Sequence, residues 1–266
     1  MSVDLLALTG FAFVFGLLWG SFANVVILRL PQGQSVVHPR SRCPKCSAAI
    51  GWYDNVPVLS WLLLRGKCRQ CGERISVQYP TVELLTGVLF ALVVHRYGLS
   101  ITTVEYLIFV WSLVVVSFID LEHMILPDVF TLSGIVIGLA GAWLNPARSL
   151  PSALFGVLMG GGFLWAIAYL YYLWRKEEGM GGGDIKLLAW IGAVLGWPAI
   201  PFVILASSLV GSVVGIGYSI RSKAGLKSVI PFGPFLALGA VLYLLGGEDI
   251  GRWYIGLFIP AISPVN

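Results

Sequence analysis

The feature that most constrains this chain is a series of long apolar runs that carry almost no charge. The first, Leu5–Leu28, has no charged residue at all. A helix that crosses a bilayer needs about 20 apolar residues. Eight runs are candidates: Leu5–Leu28, Thr81–Val94, Val104–Ile119, Val129–Leu144, Leu154–Trp174, Ile185–Leu195, Pro201–Ile220 and Phe232–Leu245. The sixth is the shortest. The tail Trp253–Ile262 is apolar but too short to span, and is expected to lie in the interface. Only 11% of the residues are charged and 58% are hydrophobic, whereas a soluble domain carries about 25% charged residues. A packed core cannot absorb that much apolar surface, so lipid must be the solvent. The predicted fold class is an all-α polytopic membrane protein of about eight spans. Leu5–Leu28 lacks a basic segment ahead of it and outruns the apolar core of a signal peptide, so it is read as a retained first span, residues 1–30.

The basic residues give an orientation, because cytoplasmic loops are enriched in Lys and Arg. Arg40, Arg42, Lys45, Arg65, Lys67, Arg69 and Arg74 fall between the first and second runs. Arg175 and Lys176 follow the fifth, and Arg221, Lys223 and Lys227 follow the seventh. The alternate connections hold only Arg96 and Arg148, with Arg252 in the tail. Eight spans place every basic connection on one face, which is then the cytoplasm. The only sizeable polar segment, residues 31–80, is cytoplasmic on this reading, and residues 81–266 form the main membrane domain. The net charge of +4 comes without a basic stripe, so nucleic acid is not an expected partner. The lipid bilayer is. Nothing in the sequence bears on oligomeric state.

All four cysteines lie in that polar segment, as Cys43-Pro-Lys-Cys46 and Cys68-Arg-Gln-Cys71. A CxxC puts two sulfurs on one tight turn, and two such turns about 20 residues apart can close a tetrahedron around Zn. Four thiolates leave no open position, so the metal would be structural. A segment this small has little core of its own, which gives a metal staple a physical purpose. The alternatives are two disulfides or four separate thiols; a reducing cytoplasm disfavours the first.

Charged groups at the ends of apolar helices are costly and tend to be paired or functional. Asp120 ends the third run and Asp128 opens the fourth after Pro127. Asp184 opens the sixth after Gly181-Gly182-Gly183. Two carboxylates that meet share one proton, which suits hydrolysis by activated water. Glycines ahead of Asp184 would let a substrate backbone approach. N-cap roles are the structural alternatives for Asp128 and Asp184. Asp120, near a helix C-terminus where the dipole disfavours an anion, is harder to explain that way. Lys186 either faces the site or snorkels to the interface, while Glu122 and His123 read as a solvated turn. A second function class also fits, a proton- or cation-coupled transporter using Asp120, Asp184 and Glu83. A scaffold that recruits a partner through its cysteine module is a third.

Several motifs occur together and in order. They are Gly20-Ser21-Phe22-Ala23-Asn24-Val25-Val26, the two CxxC pairs, Leu64-Arg65-Gly66-Lys67-Cys68, and Tyr79-Pro80-Thr81-Val82-Glu83-Leu84-Leu85-Thr86-Gly87. Asp120 through Asp128 as D-x6-PD, Gly181-Gly182-Gly183-Asp184 as GxGD, and Ile230-Pro231-Phe232-Gly233-Pro234-Phe235-Leu236-Ala237-Leu238-Gly239 complete the set. In these the chain resembles the bacterial type IV prepilin peptidases, or leader peptidase/N-methyltransferases, which are GxGD-type aspartic proteases. Ala23 stands where the family commonly has Leu. The resemblance implies cleavage of prepilins and pseudopilins after a glycine at the cytoplasmic face of the bacterial inner membrane. It implies catalytic residues Asp120 and Asp184, with Asp128, Gly181, Gly183, Lys186 and Glu83 in support. It also implies N-methylation of the new terminus with S-adenosylmethionine as the donor, and it places Gly66 and Glu83 near the methyl-transfer region.

Overall fold

The computed structural model describes residues 3–146, 148–177, 180–222, 230–247 and 249–250. The tail Trp253–Ile262 and the basic residues Lys223, Lys227 and Arg252 lie outside them. Nine α-helices are seen among the described residues: α1 Val3–Arg29, α2 Leu59–Leu63, α3 Gln78–Tyr97, α4 Ile101–His123, α5 Asp128–Leu144, α6 Leu150–Arg175, α7 Gly182–Leu195, α8 Ala199–Ser222 and α9 Gly233–Leu242. β structure among those residues is limited to two isolated bridges. Each of the eight apolar runs is a helix, but the helices differ in reach. Five, α1, α3, α4, α6 and α8, are long and apolar enough to cross a membrane. The others have 17, 14 and 10 residues. At about 1.5 Å per residue, a 14-residue helix falls well short of a hydrocarbon core about 30 Å thick.

The chain divides into two compact units, Met1–His123 and Met124–Asn266. In the first, α1, α3 and α4 pack on one another beneath the cysteine segment. The approach of α1 to α3 is close because both helices present small residues. A Cβ at Gly16 would lie 2.8 Å from the Gly87 Cα, and one at Gly20 only 2.6 Å from the Glu83 Cα. The Gly16-x-x-x-Gly20 spacing sets both on one face, the arrangement by which membrane helices bring backbones together. Asn24, 5% exposed, continues that face and ties the helices polar-to-polar. Its side-chain amide donates to the Tyr79 carbonyl at 3.1 Å and to the Gly20 carbonyl at 3.3 Å. On α4, the Trp111 indole N–H donates to the Trp19 carbonyl at 2.9 Å.

In the second unit α7 is the core. Every residue from Leu187 to Val194 is buried, so the helix is apolar all round and packed all round. Helix α6 meets it through Gly156 and Gly160, with a Cβ at Gly156 falling 2.3 Å from the Gly192 carbonyl oxygen. Helix α5 meets it through Gly134 and Gly138, the former under the Trp190 ring. Its ends are matched to its dipole: Asp184 stands in the first turn, and the Arg148 guanidinium donates to the Ala193 carbonyl in the last turn at 2.6 Å. The run that looked too short to span is short because protein, and not lipid, surrounds it.

Candidate functional sites

The cysteine segment folds as two equivalent knuckles. The Cys43 N–H donates to the Ala48 carbonyl and the Ser47 N–H to the Cys43 carbonyl, both at 2.9 Å. The Cys68 N–H donates to the Glu73 carbonyl at 2.8 Å and the Gly72 N–H to the Cys68 carbonyl at 3.0 Å. Ser47 and Gly72 occupy the same place in the two turns, and both have positive φ. The four sulfurs lie within 4.8 Å of one another, with Cys43 Sγ 3.7 Å from Cys71 Sγ. Tetrahedral zinc thiolates at about 2.3 Å require sulfurs about 3.8 Å apart, so the cluster has the size to hold such an ion. All four are free thiols in the structure. Backbone N–H groups of Cys46 and Lys45 directed at Cys43 hold its pKa down at about 6. The Cys71 thiol is pushed up to about 12 by desolvation and by its sulfur neighbours, against the Glu73 N–H that favours its thiolate. These opposed shifts describe sulfurs crowded enough to compete for charge, which a dication would relieve. Lys45 pairs with Glu73 across the two knuckles. Arg69 clamps Asp54 in bidentate fashion at 2.6 to 3.0 Å, holding that carboxyl below its ordinary range.

Asp120 is 5% exposed in the last turn of α4 and belongs to the first unit. Asp184 is half-buried in the first turn of α7 and belongs to the second. The N-cap readings do not hold. Gly181, not Asp184, is the N-cap of α7, and Pro127 is the N-cap of α5. Asp128 is instead the first helical residue of α5, exposed, and Lys186 Nζ donates to its carboxylate at 2.5 Å. Lys186 is therefore engaged with a carboxylate of the D-x6-PD motif. It ties the start of α5 to the first turn of α7. The glycines of the GxGD turn differ in purpose. A Cβ at Gly183 would fall 2.9 Å from the Leu126 Cβ, whereas nothing lies within 4 Å of one at Gly181 or Gly182. Gly183 is small so that the segment before Pro127 can lie against the start of α7. Glu122 and His123 are exposed and 3.8 Å apart, in accord with a solvated turn.

Glu83 is 7% exposed on α3. Its Oε2 accepts the Val58 N–H at 2.7 Å, and the Ser21 hydroxyl also bonds to it. It lines a cavity of about 490 Å³ between the α1 and α3 ends and the cysteine module. Trp61 is another wall of that cavity, fixed by donation from its indole to the Ile75 carbonyl at 3.2 Å. Gly66, at φ +66°, leaves room for the indole, since a Cβ there would lie 2.8 Å from it. Sequence reading did not find this cavity. The Gly-Ser-Phe-Ala-Asn motif was its signal, because Ser21 and Asn24 both face it.

Residues 14–97 match the bacterial peptidase A24 N-terminal domain, and residues 107–216 match the type IV leader peptidase family. A prepilin leader peptidase/N-methyltransferase of Aeromonas hydrophila is 41% identical over 93% of this chain and 93% of its own length. One from Pseudomonas aeruginosa is 38% identical over 95% of this chain and 97% of its own. One from Myxococcus xanthus is 47% identical over 77% of this chain and 62% of its own. No solved structure matches the chain.

Proposed function

Because the chain belongs to the type IV leader peptidase family, we propose that it removes the leader of type IV prepilins and pseudopilins and then methylates the amine that cleavage exposes. The observation that carries the peptidase reading is the pair of helix-end carboxyls, Asp120 closing α4 and Asp184 opening α7. In this reading both carboxyls act on one scissile bond. The ionised carboxylate takes a proton from water, whose oxygen bonds to the carbonyl carbon of the leader's last glycine. The protonated carboxyl gives its proton to the carbonyl oxygen. Collapse of the adduct breaks the C–N bond, and the amine departs with a proton from the dyad. The Lys186–Asp128 pair and the Gly183–Leu126 contact support this by fixing the first turn of α7.

In this reading the helices of the eight apolar runs make eight crossings of the bacterial inner membrane, the short α7 crossing inside a sleeve of other helices where the protein takes the place of lipid, with the basic connections and both aspartates at the cytoplasmic face. The four cysteines hold a structural Zn that staples the segment between α1 and α3. S-adenosylmethionine would supply the methyl group for the amine that cleavage exposes. A transporter that relays protons through the same carboxylates has no counterpart in the relatives described above. The test is to incubate the purified protein with a prepilin and S-adenosylmethionine in detergent and weigh the products. Wild type should release the leader and a mature chain heavier by one methyl. Asp120→Asn and Asp184→Asn should leave the prepilin whole. Cleavage by either variant overturns the assignment.

A further inference from the structure

Neither the aspartates nor the cysteine cluster explains α2, the short helix Leu59–Leu63 within the polar segment of the first unit. Its leucines are on the outside. Leu59, Leu62 and Leu63 are 57%, 58% and 76% exposed. With about 100° of turn per residue, these three share one side of the helix. Ser60, Trp61 and Leu64 share the other, and all three line the cavity. The inner side is fixed, because the Trp61 indole donates to the Ile75 carbonyl at 3.2 Å. The outer side is bare among the described residues. A helix of five residues has almost no stability of its own, and a protein surface that meets water does not group bare leucines in this way without a use for them.

One hydrogen bond sets the depth at which that side lies. The Val58 N–H, at the N-cap of α2, donates to Glu83 Oε2 at 2.7 Å. Val58 does so at φ +59°, which a β-branched residue adopts only under constraint, so the start of α2 is held where Glu83 puts it. Glu83 belongs to α3, a helix long and apolar enough to cross a membrane. It lies five residues past Gln78, the first residue of α3, or about 7 Å along the axis at 1.5 Å per residue. The apolar run of α3 begins at Thr81, and Leu84, the residue after Glu83, is exposed on the flank of the span. Glu83 therefore stands at the edge of the hydrocarbon. The outer leucines of α2 are pinned to that level, the boundary of headgroups and acyl chains where interfacial helices bury an apolar face.

The charges that follow match a lipid surface. Arg65 and Lys67 come directly after the leucines, are exposed, and pair with no carboxylate among the described residues. The two acidic residues of the segment, Asp54 and Glu73, are already held by Arg69 and Lys45. Trp52, in the turn before α2, is also exposed, and tryptophan gathers at membrane interfaces. We propose that α2 is an interfacial anchor: Leu59, Leu62 and Leu63 enter the acyl boundary of the leaflet, and Arg65 and Lys67 bind the anionic phospholipid headgroups above it. The cysteine module is then held to the membrane at three places, the ends of α1 and α3 and the outer side of α2. Lipid covers one side of a helix whose other side walls the cavity.

The test uses the full-length protein in nanodiscs of phosphatidylcholine and phosphatidylglycerol in equal parts. A fluorescent amino acid replaces Leu63 and is quenched either by iodide in the water or by phospholipid carrying a nitroxide just below the headgroup. Iodide quenching should fall at least about fivefold below that of the free fluorophore, and the nitroxide lipid should quench the label. Quenching by iodide and not by lipid overturns the anchor, because the face then meets water. Shielding from both quenchers overturns it too, because the cover is then protein, a partner or a second copy of the chain. The nitroxide is next carried on phosphatidylglycerol or on phosphatidylcholine at equal mole fraction. The phosphatidylglycerol form should quench about twofold more or better, and Arg65→Gln with Lys67→Gln should abolish that preference. Equal quenching by the two lipids, or a preference that survives in the variant, overturns the headgroup role of this pair. A last measurement needs no substitution. Photoactivatable phosphatidylglycerol, followed by peptide mapping of wild type, should leave adducts within residues 59–63 as well as on the spanning helices. Adducts on the spanning helices alone overturn the anchor.

Discussion

Gly192 lies at the contact on which the position of α7 depends, and an alanine there should move the whole helix. Its Cβ would fall 2.2 Å from the Gly156 carbonyl oxygen and 2.4 Å from the Gly156 carbonyl carbon. The obstacle is backbone, so no side chain can turn aside. Ordinary contact begins near 3.4 Å, and α6 and α7 must therefore part by about 1 Å at that level. A gap of that size forfeits a quarter to a half of the dispersion energy of the atoms around it, and overpacking of this kind costs about 1–3 kcal/mol. Asp184 is roughly two turns away on the same rigid helix, so the shift is transmitted to it. A misplacement of about 1 Å at a reacting group can cost on the order of 100-fold in rate. The assay is prepilin cleavage in detergent, scored as kcat/KM, with thermal melting of the same samples. Gly192→Ala should melt lower and cleave about 10- to 100-fold more slowly. Gly162→Ala is the control, because nothing lies within 4 Å of a Cβ at Gly162. It should cleave as wild type and melt no lower, since alanine favours a helix by about 1 kcal/mol over glycine. Wild-type cleavage and melting in Gly192→Ala would refute the claim that this glycine pair seats α7.

Metal analysis of the purified protein should find about one Zn per chain, and Cys43→Ser should lower this sharply while reducing the protease resistance of residues 31–80. Lys186→Met should cost less than about 1 kcal/mol in thermal stability, because its pair with Asp128 is substantially exposed. The exchange Asp128→Lys with Lys186→Asp should recover cleavage lost in either single variant if the pair positions the first turn of α7. Arg69 holds the Asp54 pKa below its ordinary value of 3.8, so the stability from this pair is present above that pH and is lost as the pH falls through the lowered value. Wild type should therefore melt above Asp54→Asn near neutral pH, and the difference should shrink as the pH falls below the ordinary value of 3.8. A difference that does not change with pH would show that the Arg69 clamp is not its source.

How much could be read from the sequence depended on how local each signal was. Every apolar run became a helix, because burial in lipid or protein leaves the backbone few other ways to satisfy its hydrogen bonds. Whether Ile185–Leu195 faces lipid or protein was not legible. Apolar composition is the same for both, and only the glycines of α5 and α6 packing on it reveal which it is. The cysteine knuckles were legible because each is closed by residues within five positions of its first cysteine. The N-cap readings of Asp128 and Asp184 failed by one to three residues, since Pro127 and Gly181 had already begun the turns. Lys186 was noticed, but its partner, 58 residues away, was not. The Glu83 cavity was hidden for the same reason. Ser21, Val58 and Glu83 belong to three separate segments that only tertiary packing brings together.

The central claim, that Asp120 and Asp184 act as one catalytic unit, is tested most directly by comparing cleavage rates of Asp120→Asn, Asp184→Asn and the double variant on one prepilin. Groups that share a proton and a substrate lose function together, so each single variant should fall to the rate of the double variant, with no further loss on combining them. Independent losses that multiply in the double variant, or a single variant that retains most of the wild-type rate, would contradict the dyad.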